Sequence, residues 1–170
     1  LYDQAMLAMA YTEAFQVTGK AIYAEAARGI FTYVARDLGS PSGAFYSAED
    51  ADSEGLEGKF YVWRPEEIKK ILGEAEGSLF CEFYDVTEEG NFHEPHGPFR
   101  HSILRIPIPL DDFVKAKGLS PAALGERLSA GRRKLLEVRS QRVRPGLDDK
   151  ILTDWNGLMI AALAKASRAF

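Results

Sequence analysis

Cysteine, histidine and long apolar runs are all scarce in this 170-residue sequence, and each shortage excludes something. A single cysteine, Cys81, rules out an intramolecular disulfide, so the scaffold relies on packing, which fits a cytoplasmic setting better than a secreted one. No apolar stretch approaches the roughly 18 residues of a membrane span, so no membrane partner is expected. There is no excess of positive charge either. The formal net charge is -4, which removes the electrostatic basis for a nucleic-acid partner. What remains is ordinary for a globular domain, with 46% hydrophobic, 11% aromatic and 27% charged residues. A chain of this length can bury a sizeable core without staples.

The apolar pattern is mostly helical. From Tyr2 to Phe15, Met6, Leu7, Met9 and Ala10 share a broad face, and Gly19 stands where a C-terminal cap belongs. Tyr23, Ala27, Ile30, Phe31, Val34 and Leu38 repeat the three-and-four spacing up to Gly39, Ser40 and Pro41, so the two helices form a hairpin. The period then changes. Ala44–Ala48 and Lys59–Trp63 are short aromatic runs, read as two strands bracketing the acidic segment Glu49–Gly58. Pro65, Glu66, Glu67 and Gly73 punctuate a short helix, and a second carries Leu79, Phe80, Phe83 and Tyr84. The proline-rich stretch 89–109 reads as loop, with Ile103–Ile106 its one candidate strand.

Ser120 and Pro121 signal the start of a long helix reaching about Arg142. Gly125 and Gly131 inside it imply a closely packed neighbour, and a last helix carries Leu158–Phe170. A faint repeat joins the two ends: Tyr2, Asp3 and the apolar residues that follow align with Trp155, Asn156 and theirs. The chain opens and stops inside helical patterns, without initiator methionine or signal peptide, so it reads as a segment of a longer protein.

Two constellations could carry chemistry. Glu49, Asp50, Asp52 and Glu54 place four carboxylates within six residues. Such crowding serves a calcium site, an acid–base pair with separated pKa values, or a solvated turn. An EF-hand loop would need Glu at its twelfth position, where Tyr61 stands. The second constellation is Asp148, Asp149, Lys150, Thr153, Asp154, Trp155 and Asn156 at the entry to the last helix, where helix capping and a buried Trp compete with sugar recognition by an aromatic face and polar side chains. His93, His96 and His101 cluster with Glu94 but lack metal-ligand spacing, so neither a metal nor a cofactor is expected. Cys81 reads as core, and Arg132, Arg133, Lys134, Arg139, Arg142 and Arg144 as the wet face of the long helix.

Four motifs carry a resemblance: LYDQA at 1–5, GAFYSAEDADSEG at 43–55, EGKFYVW at 57–63 and DDKILTDWNGLMIAALA at 148–164. Across nearly the whole chain the sequence resembles the YyaL type of thioredoxin-domain proteins, which includes a spermatogenesis-associated relative in animals. The resemblance implies a mainly α fold, an incomplete (α/α) toroid fragment of helical hairpins with an inserted two-stranded β element. In the family that toroid has six hairpins, is similar to those of N-acylglucosamine 2-epimerases and glycosidases, and follows a thioredoxin-like domain that residues 1–170 do not contain.

The function so implied is a share in a carbohydrate-active enzyme, an isomerase or a hydrolase, acting on a sugar-like small molecule. The alternative is a noncatalytic module presenting a client to the thioredoxin-like domain. Carried over by motif, Glu49, Asp50, Asp52 and Asp149 are the candidate catalytic carboxylates, and Tyr2, Asp3, Asp148, Lys150, Trp155 and Asn156 the candidate binding residues. A segment of an unclosed toroid should also leave Met6, Met9, Leu158, Ile160 and Leu163 without neighbours, which favours self-association and leaves the segment alone inactive.

Overall fold

The computed structural model describes residues 1–93 and 100–170. In chain order the elements are α1 (Tyr2–Thr18), α2 (Ala21–Asp37), β1 (Ala48–Glu49), β2 (Asp52–Ser53), β3 (Leu56–Glu57), α3 (Pro65–Leu72), α4 (Glu74–Phe83), β4 (Phe92–His93), β5 (Arg100–His101), α5 (Leu110–Lys117), α6 (Pro121–Arg139), β6 (Leu147–Asp148) and α7 (Thr153–Ala166). Helices hold 57% of the described residues, so the chain is mainly α with small β elements inserted. No helix among the described residues is long and apolar enough to cross a membrane. Two compact units form: residues 1–50 with 146–170, and residues 51–145.

In the first unit α1 packs on α2 and on α7. Gly19 ends α1 in the left-handed conformation, φ 66°, with its N–H on Phe15 O, which frees the chain to reverse into α2. Tyr11 then lies against Tyr23, as an antiparallel hairpin requires. The α1–α7 contact is parallel instead, because Tyr2 meets Trp155 at one end while Glu13 pairs with Lys165 and Phe15 meets Phe170 at the other. Small residues make this close approach possible: Ala5 and Ala8 on α1 and Ala162 on α7 are fully buried, with Met159, Val34 and Leu38 filling the space around them. The aligned repeat starts, Tyr2 and Trp155, therefore lie side by side. Of the apolar residues expected to lack neighbours, Met6, Ile160 and Leu163 are exposed, whereas Met9 and Leu158 pack against this core.

The chain leaves the first unit after Asp50 and returns at Gly146, and the two crossing segments are tied together. β1 pairs antiparallel with β6, Ala48 opposite Asp148 and Glu49 opposite Leu147, and Asp50 N–H donates to Gly146 O at 2.7 Å. The second unit has a core of its own in Trp63, Ile68, Phe80, Phe83, Phe113, Leu124, Leu128 and Leu135. Residues 51–145 expressed alone should accordingly fold, with a cooperative urea transition and helical circular dichroism. A chain without a transition would contradict this autonomy.

Within the second unit, β2 and β3 form the inserted hairpin, Asp52 opposite Glu57 and Ser53 opposite Leu56. Its two-residue turn needs positive φ at both positions, met by Glu54 (54°) and Gly55 (75°). The flanking aromatic runs are not its strands. Phe45 bridges Gly39 in the first unit, while in the second Trp63 pairs with Ser102 through N–H···O bonds of 2.9 and 2.8 Å. Strand β5 precedes the expected Ile103–Ile106 segment, and α5 was not foreseen. The arginines depart furthest from expectation. Arg142 is not on a wet face: its guanidinium donates to Phe60 O and Val62 O, both 2.9 Å, and to Glu67 Oε1 at 2.7 Å, and lies 4.0 Å from the Trp63 ring centre. Arg139 and Arg144 lie over Phe60. Cations, not a long strand ladder, hold this aromatic run.

The two glycines of α6 behave differently. A Cβ on Gly131 would meet Phe80 Cδ2 at 2.8 Å, whereas one on Gly125 would meet nothing within 4 Å. Gly131→Ala should destabilise by about 1–2 kcal/mol through overpacking, and Gly125→Ala should stabilise by about 0.5–1 kcal/mol through helix propensity. Urea unfolding of the pair checks this, and equal effects would refute the close contact.

Cys81 is buried on α4, and burial pushes its thiol up to about 11 from an ordinary value of 9.0. A thiol pKa raised by folding stabilises fully below pH 9.0, and that contribution fades as pH climbs toward 11. A thiol reagent at pH 8 should therefore react with Cys81 only as the protein opens. Rapid stoichiometric labelling of the native chain would contradict this.

Candidate functional site

The candidate residues of the first unit gather where α1 and α7 begin. The Leu1 nitrogen donates to Ser47 O at 2.6 Å, and Ser47, itself buried, donates from N (3.2 Å) and Oγ (2.9 Å) to Asp148 O. This knot brings three separate stretches of sequence together: the start of α1, the segment ending in β1, and the segment from β6 into α7. Ser47 opens the acidic constellation in the GAFYSAEDADSEG motif, but no role was expected of it from sequence.

Each side chain there has a definite place. Tyr2 opens α1, is 44% exposed, and lies 4.9 Å from Trp155 between ring centres, tilted by 58°. Asp3, beside it, is exposed on the first turn. Glu49 is half-buried on β1 and accepts the Tyr33 hydroxyl at 2.9 Å. Tyr33 comes from α2 and carried no sequence signal, since its partner is 16 residues away. Asp50 and Asp149 are exposed. Asp148 receives Lys150 Nζ on both oxygens, 2.7 and 2.8 Å, and the Lys150 hydrogen bond holds its carboxyl below the usual range.

The Asn156 amide is engaged inside the fold. Its Oδ1 accepts Phe45 N–H at 2.9 Å while Nδ2 donates to Phe45 O at 3.0 Å and to Leu152 O at 2.9 Å. The side-chain amide thus acts as a one-residue strand paired with Phe45. Asp52, on β2, belongs to the second unit, because the chain crosses over after Asp50. The first-unit cluster is built without it. Of the histidine cluster, His96 and Glu94 lie outside the described residues; among the described residues no group of three or more His, Cys, Asp or Glu is disposed around a metal.

Chemically, the cluster offers a half-exposed aromatic pair flanked by carboxylates, on a backbone fixed by hydrogen bonds. Aromatic faces accept apolar C–H surfaces and carboxylates accept hydroxyl protons.

The fold defines a helical-hairpin segment interrupted by an inserted, separately packed unit, and its homologues share nearly all of that length. The chain is similar to spermatogenesis-associated protein 20: it is 39% identical to the human protein over 183 residues, covering 96% of this chain and 23% of that protein. The mouse protein of the same name is 38% identical over 188 residues, covering 99% of this chain and 24% of its own length. An uncharacterized protein of Caenorhabditis elegans is 32% identical over 188 residues, covering 99% and 26%. The chain spans about a quarter of the length of these curated relatives. No protein-family model matches it.

Proposed function

We propose that this chain is part of a carbohydrate-handling (α/α) toroid within a longer protein, and that the start of α1 and α7 binds a sugar-like small molecule. The observation that carries the reading is the Tyr2–Trp155 pair, set at the side-by-side start of two parallel helices with Asp3 and Asp149 exposed on the same segments. Parallel helices that begin together at a repeated aromatic–Asx signature are what successive hairpins of a toroid need. Tyr2 and Trp155 supply the stacking face and Asp3 hydrogen bonds; Asp148, Lys150 and Asn156 hold the platform. Glu49, Asp50 and Asp149 are then the carboxylates for acid–base work. In a hydrolase one protonates the leaving oxygen while another activates water; in an isomerase one removes a proton beside a carbonyl.

A second reading has its own observation. Glu49, Asp148 and Asn156 already make hydrogen bonds inside the fold, as in a noncatalytic module that presents a client to a thioredoxin-like domain of the same longer protein. Calorimetry of the full-length protein with mono- and disaccharides separates the two, alongside turnover by Asp50→Asn and Asp149→Asn. On the proposed function Tyr2→Ala weakens sugar binding about tenfold and the Asn variants lose turnover. Absence of sugar binding together with unchanged variants would favour the module. The isolated chain should also self-associate through exposed Met6 and Ile160, giving a light-scattering mass that rises with concentration. A monomer at all concentrations would overturn that contact.

A further inference from the structure

We infer that the second unit carries a binding site of its own, a cleft of 240 Å³ among the end of α3, α4 and the middle of α6, which takes a small carboxylate with an apolar tail. The tail lies between Phe80 and the leucines, and the carboxylate meets Lys134 at the rim. Every residue of the lining belongs to 51–145, and none is shared with the Tyr2–Trp155 platform.

The tail follows from the walls. Leu72 closes α3, Leu79 and Phe80 come from α4, and Leu128 comes from α6. Phe80 and Leu128 are buried in the core of the unit, whereas Leu72 and Leu79 are half-buried and leave apolar surface uncovered. Gly131 completes the floor, because its missing side chain lets α4 and α3 come close. A Cβ there would stand 2.8 Å from Phe80 Cδ2 and 3.3 Å from Leu72 Cδ1. An apolar cavity of about 150 Å³ lined by such side chains already holds benzene. The 240 Å³ here therefore admits a phenyl or short alkyl group together with the methylenes that lead to its head group.

The head group follows from the charges of the lining, which are Glu76, Arg127 and Lys134. Arg127, Gly131 and Lys134 are spaced by four and three residues and so share one face of α6. Arg127 grips Glu76 in a two-bond fork, Nε on Oε2 at 2.9 Å and Nη2 on Oε1 at 2.8 Å, and this hydrogen bonding holds the Glu76 carboxyl below its usual range. These two charges cancel. Lys134 adds its field to Glu76 but, among the described residues, makes no hydrogen bond or ion pair. The lining thus carries one positive charge in excess, on an exposed side chain. A carboxylate at the rim gains an ion pair with Lys134, an alcohol gains none, and an ammonium is repelled.

The test is a two-dimensional amide NMR titration of the 170-residue chain with phenylpropanoate, and separately with phenylpropanol and phenylpropylammonium, which keep the tail and change the head. The carboxylate should shift the Leu79, Gly131 and Lys134 resonances saturably. The alcohol should bind there about two- to fivefold more weakly, and the ammonium more weakly still. Lys134→Gln should bring the carboxylate down to the affinity of the alcohol and leave the melting temperature unchanged, since the side chain is exposed and holds no partner that the fold would lose. Tyr2→Ala should leave all of these shifts intact. The inference is overturned if the carboxylate moves nothing at Leu79 and Gly131 up to about 20 mM, or if the alcohol or the ammonium binds as tightly. It is equally overturned if Lys134→Gln keeps the preference for the carboxylate, or if Tyr2→Ala abolishes the shifts.

Discussion

Arg142→Met should lower the stability of the second unit by about 3 kcal/mol, far more than an arginine in a run of surface arginines would. Three consequences follow at once from the substitution. The Phe60 and Val62 carbonyls lose their shared donor, Glu67 loses its partner, and the Trp63 ring loses the cation 4.0 Å above it. The Arg142 side chain is only 22% exposed, so water replaces these contacts poorly; Glu67, at 38%, recovers part of its solvation, which keeps the loss below that of a fully buried pair. Arg142→Lys should recover less than half, since an ammonium cannot present a planar fork to two carbonyls and a carboxylate together. Chemical denaturation with tryptophan fluorescence reads the effect, because fully buried Trp63 reports on this unit. A change below about 0.5 kcal/mol would return Arg142 to the solvated face that a surface role implies.

Asn156→Leu should cost the first unit about 2 kcal/mol, because the part-buried N–H and C=O of Phe45 would both lose the amide that pairs with them. The informative companion is Asn156→Asp. Aspartate keeps the acceptor for Phe45 N–H but sets a negative charge against the Phe45 and Leu152 carbonyls. Its loss should match that of Leu at pH 7 and shrink as the pH falls and the carboxyl regains a proton to donate. A fully native Asn156→Asp that loses only ligand binding would make Asn156 a binding residue instead of the peptide-like clamp drawn here.

The parts of the fold that were legible from sequence are those set by local punctuation. Gly19 stops α1, Pro65 and Gly73 bracket α3, and Ser120 caps α6 by accepting Ala123 N–H at 3.1 Å. These depend on a few neighbouring bonds, so a short window contains the cause. Helix α5 escaped because only Phe113 and Val114 are buried in it and prolines precede it; Gly118, left-handed at φ 63°, was the signal that could have located it. The strands escaped because each is two residues long, too short for alternation to register. Arg142 was misassigned because its partners lie 75–82 residues away, and charge beside an apolar stripe looks the same whether it meets water or carbonyls.

The candidate site was legible in a similar proportion. The internal repeat pointed to Tyr2 and Trp155 as equivalent starts, and their contact follows from α1 and α7 lying parallel. Asn156 carries a further link that no sequence window contains, since its amide pairs with Phe45, 111 residues away. Asp52 followed Glu49 and Asp50 closely in sequence, but the chain changes unit between them.

Sugar soaking of crystals of the full-length protein tests the central claim most directly, with the Tyr2→Ala variant soaked in parallel. A sugar-like ligand stacked on Tyr2 and Trp155, with hydroxyls on Asp3, Glu49, Asp50 or Asp149, and lost in the variant, is the expected result. An empty α1–α7 face at saturating sugar, or a sugar bound there equally well without the Tyr2 ring, would contradict it.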